Sequence, residues 1–175
     1  VPWVARAVVQ REFPNRLKVG LLEHKAVAYW GAEGDSRLVN NVGEVFEANP
    51  GDVETEELPL LNGPKGQAPQ VLQAYHALAP LFEEMDAALE QLQLREQGSW
   101  RAQLDSGAVI ELGHGSLTEV EARTRRFIDT VTQVSSRFGR DVESADLRYA
   151  SGYALKLRGV TTGDIDDKVG QKKKR

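Results

Sequence analysis

The stretch that decides the fold is SWRAQLDSGAVIELGHGSLTEVEARTRRF, Ser99 to Phe127. Trp100, Ala102 and Leu104 alternate with polar residues, Ser106-Gly107 supplies a turn, and Ala108, Ile110 and Leu112 resume the alternation. Apolar side chains at every second position on both sides of a tight turn predict a β-hairpin with one buried face. The period then changes. Ser116 and Glu119, and again Thr118 and Glu121, stand at capping-box spacing, and Val120, Phe127, Val131, Val134 and Phe138 form one apolar stripe that Gly139 can close. A hairpin running straight into an amphipathic helix predicts a sheet with a helix laid on it.

Working towards the N-terminus, Val71, Tyr75, Leu78, Phe82, Met85 and Leu89 recur at alternating spacings of four and three, which predicts a second helix from Pro69. Pro80 lies inside it and is expected to bend or split it. RLVNNVGEVF, Arg37 to Phe46, reads as a hairpin turning near Asn41 to Gly43, followed by a polar loop through Glu57. The first thirty residues hold two strand-like runs separated by Phe13-Pro14-Asn15, and Leu17, Val19 and Leu21 alternate as in a half-buried strand.

Towards the C-terminus, DLRYASGYALKLRG, Asp146 to Gly159, places Leu147, Tyr149, Ser151, Tyr153, Leu155 and Leu157 on one side of an extended chain. It reads as a single strand, roughly 45 Å long at about 3.3 Å per residue. Residues 161–175 are polar and aperiodic and read as a disordered tail. Strands, helix, hairpin, helix and strand in that order predict an α+β fold, an antiparallel or mixed sheet with two helices packed on it.

At 175 residues, 41% hydrophobic and 27% charged, the chain has material for one good core. It holds no apolar run long enough to span a bilayer, and it begins at Val1 rather than Met, so it reads as part of a longer or processed protein. The absence of cysteine excludes disulfides and thiolate chemistry. Lys172, Lys173, Lys174 and Arg175 are four of the 22 basic residues, so residues 1–171 set 18 basic against 26 acidic residues, a net −8. A body so acidic repels a nucleic-acid backbone, and no nucleic-acid partner is expected.

Candidate chemistry is sparse. His24, His76 and His114 fall in a strand, on a helix and in a loop, without a second ligand at metal spacing. GHGS, Gly113 to Ser116, puts its serine after the glycines, as a helix cap rather than a nucleophile elbow. GPKG, Gly63 to Gly66, lacks the Lys-Ser/Thr ending of a phosphate loop, and GDIDD, Gly163 to Asp167, lacks the glycine and terminal glutamate of a calcium loop. Glu83, Glu84 and Asp86 face solvent on the predicted helix. No catalytic residue, metal ligand or cofactor is expected. A small hydrolase or ligand-binding domain is the alternative, and it requires a pocket where the histidines meet carboxylates.

The terminal strand leaves two readings. Either it is internal, with Lys156 and Arg158 as ordinary edge-blocking charges, or one edge stays open to a partner that adds as a strand. The motifs PWVARAVVQREFPNRLKVGLLEH…AYW, LVNNVGEVF, LPLLNGPKG, VLQAY, SWRAQLDSGAVIELG, RTRRF and DLRYASGYAL, across about residues 2 to 158, together resemble the FtsQ family of bacterial cell-division proteins. The resemblance favours the open edge. It implies that residues 1–32 are the end of an incomplete POTRA unit and 33–160 a β domain. It also implies a parent protein anchored in the cell inner membrane by an N-terminal span absent here, with this part periplasmic at the division septum. The implied role is non-catalytic scaffolding of the divisome, binding FtsB and through it FtsL, with weak self-association also open. The implied partner-binding residues are Arg148, Tyr149, Ser151, Gly152, Tyr153, Ala154, Leu155 and Leu157. This chain departs from the family pattern at Gln97-Gly98, where consecutive arginines can stand, and at Leu157, where a tryptophan can stand.

Overall fold

The computed structural model describes residues 3–48 and 58–159. The expected tail, the GDIDD segment and most of the Glu47–Glu57 loop lie outside the described residues.

Among the described residues there are eleven strands, in two sheets, and two helices. Of the described strands, β1 (Val4–Glu12) and β2 (Arg16–Glu23) pair with each other alone. The other nine strands are β3 (Ala26–Trp30), β4 (Arg37–Asn40), β5 (Val45–Glu47), β6 (Leu60–Asn62), β7 (Leu89–Leu94), β8 (Trp100–Leu104), β9 (Val109–Gly113), β10 (Val142–Asp146) and β11 (Ala154–Leu157). They lie in the order β11-β10-β9-β8-β7-β6-β3-β4-β5. The sheet is mixed. α1 (Ala68–Glu83) crosses over between the parallel neighbours β6 and β7, and α2 (Leu117–Phe138) does the same between β9 and β10. α1 and α2 touch each other, and Arg125 of α2 reaches Glu84 at 3.5 Å, so both helices cover one face.

The hairpin and second helix form as their sequence dictates. Trp100, Ala102, Leu104, Ala108, Ile110 and Leu112 are all buried, and Gly107 takes the left-handed conformation the β8–β9 turn needs (φ +80°). Ser116 caps α2: its hydroxyl accepts from the Glu119 N–H while Glu119 Oε2 accepts from the Ser116 N–H at 2.7 Å. Gly139 ends the helix in the left-handed region (φ +58°). Phe82 and Leu78 of α1 meet Phe127, Val120 and Val131 of α2 in one core with Leu92, Ile110 and Leu112 of the sheet. Each such side chain, fully buried, stabilises the fold by about 1.5–3 kcal/mol.

Five expectations are corrected. α1 runs unbroken through Pro80, which sits on the exposed side of its last turn. The helix stops at Glu83, before Met85 and Leu89: Asp86 turns the chain with φ +56°, and Leu89 opens β7 instead. β2 is exposed along its whole length, with Leu17 at 69% and Leu21 at 59%, so its alternation marks an uncovered face rather than a half-buried one. The long terminal strand is two short ones: β10 ends at Asp146, the chain turns through residues 147–153, and β11 returns antiparallel to it. His24 falls in the link between β2 and β3, not in a strand. β3, inside the 1–32 segment, hydrogen-bonds into the nine-stranded sheet.

Candidate functional site: an open strand edge beside an arginine cluster

Among the described residues, β11 is the last strand of the large sheet and pairs with β10 only, in the register Val142↔Leu157, Ser144↔Lys156, Ala145↔Leu155 and Asp146↔Ala154. The Arg158 N–H donates to the Asp141 carbonyl at 2.9 Å, across that same pair. Backbone groups alternate in direction along a strand, so Lys156 and Ala154 also face β10. Leu155 and Leu157 therefore direct N–H and C=O towards the open side. Their side chains point elsewhere: Leu157 is buried in the core and Leu155 is half-buried against it.

The turn before β11 is held from both ends. The Leu147 N–H donates to the Glu111 carbonyl at 2.8 Å, and its side chain is buried. Asp146 takes Arg148 Nε at 2.8 Å and Nη2 at 2.6 Å, and also accepts from the Arg148 N–H at 3.1 Å. This two-pronged contact lowers the Asp146 pKa and raises that of Arg148. At Gly113 (φ +82°) an added Cβ would lie 3.0 Å from Arg148 Cγ, so glycine lets the arginine lie across the end of β9. Tyr153 turns inward: its ring meets Phe127 edge-on at 5.0 Å, and its hydroxyl lies 2.8 Å from Thr130 Oγ1.

Of the residues implied by the resemblance, Arg148, Tyr149, Ser151 and Gly152 form one exposed turn, with Tyr149 58% exposed. Ala154 is exposed, while Tyr153 and Leu157 spend their side chains on the domain's own packing. The sequence reading missed Glu111, which gathers Arg95 Nη2 at 3.1 Å and Arg101 Nη1 at 3.4 Å beside the same turn. It also missed Arg123, whose Nη2 bonds the His114 carbonyl and whose buried Nε has no partner among the described residues. Glu111 thus meets Arg95 and Arg101, Asp146 meets Arg148, and Arg123 lies with Arg148 beside Gly113. Their placement on four separate elements hid the cluster from any sequence spacing.

The histidines do not converge. His24 stacks on Phe46 at 4.3 Å with Nδ1 2.9 Å from Asn40 Nδ2, and His76 and His114 are exposed elsewhere. A cleft of about 760 Å³ lies between α1 and the sheet, lined by Tyr29, Glu33, Tyr75, Glu83 and Glu90 among others and by no histidine. Among the described residues, no group of three or more His, Asp or Glu side chains is placed to hold a metal ion. None of the helices is long and apolar enough to cross a membrane, again among the described residues.

Fold and site define an α+β domain whose sheet ends in a strand paired on one side. The family model for the C-terminal part of the cell division proteins FtsQ and DivIB matches residues 28–148, and the chain belongs to that family. The match ends within the turn, so β11 lies past it. The chain is 40% identical to the cell division protein FtsQ of Thiomonas arsenitoxydans over 91% of its own length and 60% of that protein. Against FtsQ of Burkholderia pseudomallei it is 36% identical, over 91% of this chain and 63% of the relative. Against FtsQ of Escherichia coli it is 28% identical, over 89% and 55%. The chain therefore spans about three fifths of the length of these relatives.

Proposed function

We propose that this chain is the partner-binding part of a non-catalytic divisome scaffold, and that FtsB, with FtsL joined through it, docks by adding a strand to β11. The observation that carries this reading is the one-sided pairing of β11. Leu155 and Leu157 offer the backbone ladder, the exposed Tyr149 offers an apolar surface with a polar tip, and Ser151 and Gly152 leave room for close approach. Arg148 and the cluster around Glu111 suit an acidic flank on the partner.

The same reading places this part in the periplasm, at the septum, on a parent anchored in the inner membrane. It makes β1 and β2 the end of a POTRA unit. One face of that hairpin carries Ala7, Val9, Leu17, Val19 and Leu21 in cross-strand register, exposed here, as a sheet does when its covering layer belongs to a longer chain.

The test is hydrogen exchange of residues 146–158 with and without a synthetic FtsB C-terminal segment. Strand addition protects the amides of Leu155 and Leu157 when the segment is added and leaves the β8–β9 amides unchanged. Saturating segment with no added protection in β11 refutes it.

A further inference from the structure

We propose that the cleft between α1 and the sheet is a docking site for the chain's own basic segment, Lys172 to Arg175. Three features make the cleft cation-seeking. Glu33, Glu83 and Glu90 line it without an ion pair among the described residues, whereas the fourth lining carboxylate, Asp35, is answered by Arg37 at 2.5 Å. Glu83 lies in the last turn of α1, which contains no basic residue, so its charge adds to the partial negative charge of the helix C-terminus. Tyr29 and Tyr75 present rings in the same space, and aromatic faces attract ammonium and guanidinium groups. Burial, and then the neighbouring Glu83, push the Tyr75 hydroxyl up.

The occupant follows from where the chain leaves the domain. β11 ends at the same end of the sheet as the cleft: Arg158 Nη2 donates to the Ser106 carbonyl at 2.8 Å, and the adjacent Asp105 N–H donates to the carbonyl of Ala88, a cleft residue, at 2.9 Å. β7 lies four strand positions from β11, about 19 Å at ~4.8 Å per step. Residues 160–171 connect that point to the basic segment, and a connection of this length reaches at most about 40 Å at ~3.3–3.6 Å per residue, enough to cover that distance. A short tether that can span its gap presents the tethered segment at an effective concentration on the order of millimolar. The charges are complementary, with four positive residues after Gln171 and a net −8 before Lys172.

Because the chain has no cysteine, Gln171→Cys carries a single nitroxide and leaves all four basic residues in place. In the isotope-labelled full chain at low salt, the amides of Gly34, Ala79, Ala88 and Leu89 should lose more than half their intensity. They should recover at 1 M salt, where the screening length falls to about 3 Å. The double variant Glu83→Lys, Glu90→Lys should abolish the loss without salt. Cleft amides of full intensity at low salt overturn the proposal. So does broadening that survives when only unlabelled-isotope chains carry the nitroxide, because the occupant is then a second copy.

Discussion

Leu155→Pro tests the open edge most directly. The residue offers one outward N–H, and with Leu157 the strand presents two N–H and two C=O groups, a gross contribution of about 2–6 kcal/mol at ~0.5–1.5 kcal/mol per bond. Proline removes that donor where an edge strand tolerates it, since the group faces away from β10. The partner's carbonyl is left unpaired, at about 1–3 kcal/mol, so binding should weaken by roughly 5- to 150-fold. Calorimetric titration with the FtsB segment reads the affinity, and a urea midpoint on each variant shows that the fold persists. Ala154→Pro is the contrast: its N–H faces β10, so proline there breaks the domain's own hairpin and lowers the urea midpoint further. If Leu155→Pro remains folded and binds within twofold of the parent, the assignment of outward-facing groups, and strand addition with it, is wrong.

Ser116→Ala removes the cap of α2 and should lower stability by about 1 kcal/mol in urea denaturation. Phe127→Ala empties a site with no solvent exposure and should cost about 3–5 kcal/mol. It also removes the ring against which Tyr153 rests, so exchange at residues 154–157 should quicken beyond the global loss. The Asp146 and Glu119 carboxyls are held below their ordinary range by hydrogen bonds from Arg148 and Ser116. A depressed folded-state pKa gives stability that is present at neutral pH and lost as pH falls through it. The thermal midpoint should therefore drop below about pH 4, and Asp146→Asn should flatten that profile. Glu111→Gln frees Arg95 and Arg101 and should steepen the salt dependence of binding to an acidic segment, measured by titration across ionic strength.

What the sequence disclosed follows from how many independent local signals agreed. β8, β9 and α2 combine alternation, a turn glycine, a capping box and a C-terminal glycine, and each is formed as read. β6 has three residues, too few to show a period, and β7 was concealed because Leu89 continues the four-three spacing of α1 by coincidence. Only the backbone reversal at Asp86 separates them, and a non-glycine residue at positive φ leaves no turn signal of the kind a glycine would. The terminal hairpin was misread for a related reason. Period-two alternation continues through Tyr149, Ser151 and Tyr153 although the chain turns there, so the pattern reports side-chain chemistry without the bend. Ser151-Gly152 was the available turn signal. The arginine cluster and the cleft were illegible because tertiary packing alone brings their residues together.

Splitting the strand changes what recognition at this edge requires. A long open strand would bind through its backbone alone and invite indiscriminate pairing, which short edges and charges suppress. β11 has four residues, of which two face out, and Lys156 is tied to Glu143 at 2.5 Å on the inward-facing set. About 2–6 kcal/mol of gross hydrogen bonding does not offset the cost of association and of ordering a partner segment. The remainder has to come from side chains beside the ladder, and the exposed Tyr149 with Arg148 and the arginines around Glu111 are what the fold places there. In the proposed docking, specificity then resides in the turn and the cluster, while the strand fixes direction and register. Removing the cluster's charge should slow association and leave the bound register unchanged, whereas blocking the ladder should destroy the register itself.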